Sequence, residues 1–361
     1  MANIQFNQPL RLRNRLWSLF AALFLCGLIG FAGAAHAGYA AIVIDPATGE
    51  VLSAVNADEQ NYPASLTKMM TLYLTFQALQ NGKLKVDQEL PVSSWDASRA
   101  PTKLGLRAGQ TISVNDCILG MVTKSANDAA SVIAEGLGDN EGHFAEMMTA
   151  QAALLGMSAT HFANASGLPD PNNTSTARDM AKLAMALYRD FPQYAHYFST
   201  KEFVFRGQLI RGHNNLMDRY PGMDGLKTGF TDASGFNLAS TAVHDGRRLF
   251  AVVLGGRSAS SRDNLMTRLL DDGFDNQPTP DAVVAQAGVR STTRRVLAAL
   301  SPIDTAEADE TAPAHHRSRG CTPHRGTNCP RVAKSHSKST THLSHRKHKK
   351  VLLASSADKK D

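Results

Sequence analysis

The chain has 361 residues, 43% of them apolar and 7% aromatic, which is enough material for a large buried core. The formal net charge of +6 is unevenly placed: residues 1–37 contribute +3 and residues 312–361 contribute +10, so residues 38–311 carry −7. The basic character belongs to the two ends, and it gives no reason to expect a nucleic-acid partner.

The N-terminus has the pattern of an export signal. Three arginines within residues 11–15 precede an apolar stretch from residue 16 to residue 35, and Ala35-His36-Ala37 supplies the small residues of a cleavage site. We expect residues 1–37 to be a signal peptide and the mature protein to be exported to the periplasm or cell envelope. The apolar stretch is also long enough for an uncleaved membrane anchor, which is the alternative.

The next residues predict a β-hairpin followed by a buried helix. Residues 38–56 place apolar residues on either side of the turn sequence Asp45–Gly49. Residues 69–80 are apolar on nearly every face, which is typical of a helix surrounded by the core. Asn81-Gly82 marks the end of this helix.

Helical patterns follow in the middle of the chain, and strand patterns follow towards its end. A hairpin turn at residues 244–247 joins the last two strands, and one more amphipathic helix covers residues 262–270. The other features of this part are an apolar run over 114–122, predicted helices 129–137, 143–156 and 176–189, and predicted strands 226–230, 235–243 and 248–254. With the first hairpin they predict an α+β fold: an antiparallel five-stranded sheet flanked by helices, with a helical insertion.

The composition changes after residue 276. We expect residues 38–276 to form one catalytic domain. We expect residues 277–300 to form a linker that includes a short helix. Residues 301–361 are rich in small polar and basic residues and poor in large apolar ones, so we expect a disordered basic tail.

The tail has its own candidate partners. Its cations would suit an anionic wall polymer or a membrane surface, and a simple solvated linker is the alternative. Cys321 and Cys329 could form a disulfide after export, whereas Cys117 lies in an apolar run and is interpreted as a small buried hydrophobe. We predict no metal site and no cofactor.

Ser65 and Lys68 give the first chemical signal. They stand three positions apart at the start of the predicted buried helix, so they share a face and the amine can reach the hydroxyl. A serine hydroxyl becomes a strong nucleophile when a base takes its proton, and a lysine can be that base when burial or a neighbouring cation lowers its pKa. A lone Ser-x-x-Lys is common by chance, and a helix start with a surface lysine is the competing interpretation.

Two further motifs make the pattern specific. Ser125-Ala126-Asn127 follows downstream, and Lys227-Thr228-Gly229 lies on a predicted strand before a hairpin. This trio is typical of penicillin-binding proteins and class A β-lactamases. The chain resembles the D-alanyl-D-alanine carboxypeptidases, which are low-molecular-mass penicillin-binding proteins, over residues 38–275. The stretches that carry the resemblance are Pro63–Thr71, Lys124–Ala130, His161–Asp170 and Asp224–Thr231.

The resemblance implies a D,D-peptidase/β-lactamase-like fold and a role for each catalytic residue. Ser65 would attack the D-Ala–D-Ala bond and form an acyl-enzyme, with Lys68 as its general base. Ser125 would relay a proton to the leaving D-alanine. Asn127 would orient the substrate amide, and Lys227 would hold Ser125 in a positive local potential.

The resemblance also implies a substrate-binding set. Thr228 and Thr231 would bind the terminal carboxylate with help from Arg262, and the main-chain N–H groups of Ser65 and Phe230 would form the oxyanion hole. The predicted substrate-binding residues are Asn127, Lys227, Thr228, Gly229, Phe230, Thr231 and Arg262.

The sequence departs from the family pattern at two positions. Phe230 follows Gly229 where many relatives carry His or Tyr, and His213 stands where some relatives carry a substrate-contacting Arg. We expect the chemistry to survive the first change, because the predicted oxyanion contact uses the main chain. The family's β-rich C-terminal domain and amphipathic anchor helix are not visible in the sequence. Outside the motifs, Trp95 is interpreted as a packing residue.

The resemblance implies a serine D-Ala-D-Ala carboxypeptidase that acts on peptidoglycan pentapeptide stems and is inhibited covalently by β-lactam antibiotics. A D,D-endopeptidase that cuts peptidoglycan cross-links would use the same machinery. A cell-wall binding protein without catalysis, acting through the basic tail, is the alternative from a different class, although binding alone has no need of Lys68.

Overall fold

The computed structural model describes residues 39–287, and every structural statement below refers to them. The predicted signal peptide, the basic tail and the Cys321–Cys329 pair lie outside the described residues. No helix between residues 39 and 287 is long and apolar enough to cross a membrane.

A five-stranded antiparallel sheet forms the centre of the structure. Its strands, in spatial order, are β2 (Val51–Val55), β1 (Ala40–Ile44), β9 (Arg247–Gly256), β8 (Gly235–His244) and β7 (Met223–Thr231). The pairing of β1 with β9 sets Ile42 opposite Val252 and brings the first hairpin beside the last three strands. The predicted α+β class and five-stranded sheet are confirmed.

Helices cover both faces of the sheet. They are α1 (Lys68–Gln80), α2 (Ser94–Ala97), α3 (Val114–Val122), α4 (Asn127–Gly138), α5 (Glu141–Leu154), α6 (Ala177–Asp190), α7 (Ala259–Phe274) and α8 (Asp281–Ala287). Successive residues of a strand point to opposite faces, so β1 serves two cores. Ile42 belongs to the core that contains α1 and α6, and Val43 belongs to the core that contains α7.

Helix α1 lies inside the protein, as its sequence predicts. All its residues except Gln77 and Gln80 are buried, because α4, α5 and α6 pack around it. Because every face of this helix is apolar, its sequence does not single out one face for burial. Contacts with neighbouring helices on several sides hold it in place. The first turn of α1 carries Lys68, so this residue of the first motif lies inside the protein.

Several short elements escape the sequence prediction. They are the two-stranded sheets β3 (Glu89–Pro91) with β4 (Thr111–Ser113) and β5 (Glu202–Phe205) with β6 (Gln208–Arg211), and the 3₁₀ helices Ala64–Thr67, Pro192–Ser199 and Asn215–Asp218. Strands of three or four residues are too short for an alternating pattern to stand out. Helix α7 also begins earlier than predicted, because the Ser258 side chain caps it by accepting from the Ser261 N–H at 3.1 Å.

The structure continues past residue 276. Helix α8 packs against α7 and buries Val284, and the N–H of Arg257 donates to the carbonyl oxygen of Ala287 at 2.9 Å. In the middle of the chain, Cys117 is fully buried in α3, as predicted. Burial raises the pKa of its thiol, and the charges of Asp128 and Asp116 add to the rise, so the thiol stays protonated.

Phe76 tests the packing of α1 directly. Its ring is fully buried, with ring centroids 4.9 Å from Tyr194 and 6.0 Å from Phe191. We expect Phe76→Ala to lower the free energy of unfolding by about 3–5 kcal/mol, measured by urea denaturation, because it leaves a cavity in the core. The control Leu154→Ala removes a side chain that is 81% exposed and should change this value by about 0.5 kcal/mol or less. Equal small effects in both variants would contradict the described packing.

Candidate active site

The 3₁₀ helix Ala64–Thr67 leads directly into α1 and brings Ser65 and Lys68 together. Lys68 Nζ lies 2.8 Å from Ser65 Oγ and donates a further hydrogen bond of 2.7 Å to the carbonyl oxygen of Ser166. Ser65 is 2% exposed and Lys68 has no exposed surface. Ala64 has a left-handed φ of 49°, which is strained for a residue with a Cβ and is typical of functional turns. We call residues 62–67 the Ser65 turn.

A second segment, residues 164–167, packs onto this turn and is called the Ser166 loop. Asn164 Oδ1 shapes the loop by accepting from the N–H groups of Ser166 at 3.2 Å and Gly167 at 2.7 Å. Gly167 has a left-handed φ of 80°, and a Cβ there would overlap the carbonyl oxygen of Ala64. Only glycine allows the two segments to approach this closely, and their approach delivers the Ser166 carbonyl to Lys68.

Strand β8 fixes the Ser65 turn from the other side. The Asn237 side chain donates to the carbonyl oxygens of Tyr62 at 3.0 Å and Pro63 at 3.1 Å, and it accepts from the Gly255 N–H at 2.9 Å. One buried amide therefore ties the turn to both β8 and β9. Groups that are buried and fully bonded in this way hold the main chain in one conformation.

Strand β7 lies directly against Ser65 at Gly229. A Cβ at Gly229 would sit 3.0 Å from the main-chain nitrogen of Ser65 and 3.0 Å from Leu66, so glycine is needed for this approach. The main chain of the third motif thus lies close to the N–H of the first, and the predicted oxyanion hole of Ser65 and Phe230 stays a prediction. The Phe230 ring packs against the Phe236 ring, and the two ring centroids are 4.3 Å apart.

Ser125 and Asn127 lie at the start of α4, which packs against α1. Ser125 has a left-handed φ of 59° and is fully buried, and its hydroxyl has no hydrogen-bond partner within residues 39–287. Asn127 Nδ2 donates to the Ala100 carbonyl oxygen at 2.9 Å, and Thr102 Oγ1 donates to the Ser125 carbonyl oxygen at 3.1 Å. A strained main chain and an unbonded buried hydroxyl are together unusual outside functional sites.

The remaining motif residues lie along β7 and in the turn that follows. Lys227 is buried, and its Nζ donates to the Thr228 carbonyl oxygen at 2.7 Å. Thr231 Oγ1 donates to Ser234 Oγ at 3.0 Å, which closes the turn into β8. Thr228 and Thr231 are both buried. Their predicted contact with a substrate carboxylate stays a prediction.

Arg262 and His213 are both deeply buried. Arg262, on α7, is 1% exposed; its guanidinium pairs with the Asp263 carboxylate at 2.8 Å and donates to the Asn237 carbonyl oxygen at 3.3 Å. Its contacts thus include β8, next to the side-chain amide that holds the Ser65 turn. His213 is 4% exposed. The predicted carboxylate role of Arg262 stays a prediction.

The negatively charged side chains of Asp96 and Glu141 lie near Glu135 on α4. Burial raises the pKa of Glu135, and the negative charges of Asp96 and Glu141 add to the rise, against a hydrogen bond from Ser93 that lowers it. Within residues 39–287, no group of three or more His, Cys, Asp or Glu side chains is placed to hold a metal ion.

A family model described as D-alanyl-D-alanine carboxypeptidase, peptidase family S11, matches residues 31–258. The chain belongs to the D-alanyl-D-alanine carboxypeptidase family. The matched region contains every motif that the sequence singles out except Arg262, which lies four residues beyond it.

Named relatives agree with this assignment. D-alanyl-D-alanine carboxypeptidase DacD of Escherichia coli is 36% identical over 252 residues, which are 68% of this chain and 64% of DacD. This chain therefore matches less than two thirds of that relative. Penicillin binding protein 5 from Haemophilus influenzae has a similar structure, with a TM-score of 0.64 and 34% identity over 67% of this chain and 71% of that one.

A shorter structure aligns almost completely. Penicillin-Binding Protein D2 from Listeria monocytogenes, in its cefotaxime-bound form, gives a TM-score of 0.61 and 34% identity. The alignment covers 66% of this chain and 97% of that one. The fold described here therefore corresponds to nearly the whole of a penicillin-binding protein.

Sequence reasoning about this carboxypeptidase-family chain assigned no role to the residues that support the site, although Gly167 lies within the stretch His161–Asp170. Gly167, Asn237 and Glu141 make contacts across about 25 to 175 positions of sequence, which no local pattern predicts. The one available signal is the polar Asn237 between the apolar residues Phe236 and Leu238 of a predicted strand, because a buried amide requires hydrogen-bond partners. Trp95 is 50% exposed, and its ring packs against the guanidinium of Arg99 rather than in the core.

Gly167 tests the contact between the Ser166 loop and the Ser65 turn. We expect Gly167→Ala to slow covalent labelling by a fluorescent penicillin by about 100-fold or more, because the new Cβ must displace Ala64 or the loop. Gly156 is a matched control: its φ is also left-handed, at 71°, but no atom lies within 4 Å of its Cβ position. Gly156→Ala should cost about 1–2 kcal/mol of stability and leave the labelling rate unchanged. Normal labelling of Gly167→Ala would contradict the close approach.

Proposed function

We propose that this protein is a serine D-Ala-D-Ala carboxypeptidase that removes the terminal D-alanine from peptidoglycan stem peptides. The observation that carries the proposal is the buried 2.8 Å contact between Ser65 Oγ and Lys68 Nζ within the family's own motif. The names of the relatives support the substrate class, since DacD is a D-alanyl-D-alanine carboxypeptidase.

The first step is attack by Ser65. Full burial disfavours the charged form of a lysine, so a neutral Lys68 amine can accept the proton of the Ser65 hydroxyl while the oxygen attacks the carbonyl carbon of the penultimate D-alanine. The Ser166 carbonyl oxygen, 2.7 Å from Lys68 Nζ, holds the amine by accepting one of its N–H groups. This contact keeps the amine beside Ser65 Oγ, 2.8 Å away.

The negative charge that develops on the substrate oxygen needs donors already in place. The main-chain N–H groups of Ser65 and Phe230 are the proposed donors, and the close approach of β7 at Gly229 supports this pairing. Both donors belong to main chain that neighbouring groups fix, so they need little rearrangement during the reaction. The aromatic side chain of Phe230 does not change these donors.

The leaving D-alanine needs a proton on its nitrogen. The Ser125 hydroxyl is buried without a hydrogen-bond partner within residues 39–287, so it is available to pass on the proton that Lys68 has taken. Thr228, Thr231 and Arg262 are the proposed binding residues for the terminal carboxylate. Water then cleaves the Ser65 ester, and the trimmed peptide leaves.

A β-lactam ring would acylate Ser65 by the same route, because it presents an amide to the same nucleophile. The Listeria relative was crystallised with cefotaxime bound, which supports this extension. We also propose that the protein is exported to the cell envelope, where stem peptides occur, by the N-terminal segment of residues 1–37.

Release of D-alanine tests the proposed function. The full chain, incubated with a soluble peptide ending in Lys-D-Ala-D-Ala, should release free D-alanine, and Ser65→Ala and Lys68→Ala should each lower the rate by about 1,000-fold or more. Ser199→Ala and Lys83→Ala change exposed residues of the same types and should have no effect.

This assay, together with covalent labelling by penicillin, distinguishes three outcomes. Release that persists in Ser65→Ala would contradict the proposal. No release from wild-type protein that still reacts with penicillin would indicate the endopeptidase that needs cross-linked substrate. Loss of both reactions would favour a binding protein.

A further inference from the structure

The Ser166 carbonyl oxygen is where the main chain holds Lys68, so its position bears on the geometry of the Ser65–Lys68 pair. The preceding peptide units fix that position. The Ala165 carbonyl oxygen accepts from Thr71 Oγ1 at 2.6 Å, and the Ala165 N–H donates to Glu141 Oε1 at 3.1 Å. Two buried side chains therefore clamp the residue that precedes Ser166.

The two sides of this clamp have different origins. Thr71 lies three residues after Lys68 on α1, so the two side chains share a helix face and bind successive carbonyls of the Ser166 loop. Thr71 thus lies on the same helix as Lys68. Glu141 comes from the start of α5, and its carboxylate accepts the hydrogen bond of the Ala165 N–H.

Glu141 is itself held firmly. It is 8% exposed, and its other carboxylate oxygen accepts from Trp95 Nε1 at 2.8 Å and from Arg99 at 3.3 Å. The Arg99 guanidinium also lies over the Trp95 ring, 3.5 Å from its centroid. With both oxygens bonded and an arginine to balance its charge, the carboxylate has one defined position. The half-exposed Trp95 is part of this support.

We infer that Glu141 is a positioning residue for acylation: by holding the Ala165 N–H, it sets the Ser166 carbonyl and through it the amine of Lys68. This inference rests on the proposed function, since it concerns the rate at which Ser65 is acylated. Displacing a reacting group by about 1 Å can slow a reaction by about 100-fold, so a carboxylate two contacts away can control the rate. Glu141 does not touch the reacting atoms.

The test measures acylation by a fluorescent penicillin over a series of concentrations, which separates the acylation rate constant from the affinity of the non-covalent complex. We expect Glu141→Ala to lower the rate constant by about 10- to 100-fold and to leave the affinity within about threefold. Glu141→Gln keeps one oxygen that can accept from the Ala165 N–H but turns an NH2 group towards the donors of Trp95 and Arg99, so its rate constant should lie between those of Glu141→Ala and wild type. Glu146→Ala, an exposed glutamate on the same helix, should behave as wild type.

Glu141→Asp is the second variant, because it keeps the charge that faces Trp95 and Arg99 but draws the carboxylate back from Ala165. It should also lower the rate constant, by about tenfold. Thermal unfolding confirms that each variant is folded. A folded Glu141→Ala or Glu141→Asp with a wild-type rate constant would overturn the inference, as would Glu141→Gln that is no faster than Glu141→Ala. Wild-type protein that acquires no label would overturn the proposed function instead, and the inference with it.

Discussion

A lysine amine buried beside a serine hydroxyl is the arrangement on which the rest of this site depends. Such a pair is costly to bury, because each polar group loses water and needs a partner supplied by the protein. The main chain supplies one through the Ser166 carbonyl, 2.7 Å from Lys68 Nζ. The segment that carries this carbonyl can reach the pair only because Gly167 leaves room for Ala64.

The sheet and the helical insertion meet at the Ser65 turn. β8 holds the turn through Asn237, and β7 lies against Ser65 at Gly229. The insertion contributes the Ser166 loop and the start of α4 with Ser125. The main chain of Gly229 on β7 thus lies against Ser65, which is more than 160 residues earlier in the sequence. Catalysis by this route depends on donors and acceptors that are fixed before the substrate binds.

The sequence predicts the parts of this structure that repeat with a regular period or match a motif. The buried helix α1, the strands β7 to β9 and the Ser65–Lys68 contact follow from local patterns. The supporting contacts do not, because they depend on the tertiary fold. Glu141 looks like any acidic residue at a helix start, and only the fold reveals that it faces the Ala165 N–H.

The central claim is that Ser65 is the residue that becomes acylated. The most direct measurement treats the protein with benzylpenicillin, digests it and locates the adduct by mass spectrometry. The account predicts one adduct per chain, on Ser65. An adduct on Ser125 or another residue, or D-alanine release by a protein that forms no adduct at Ser65, would contradict it.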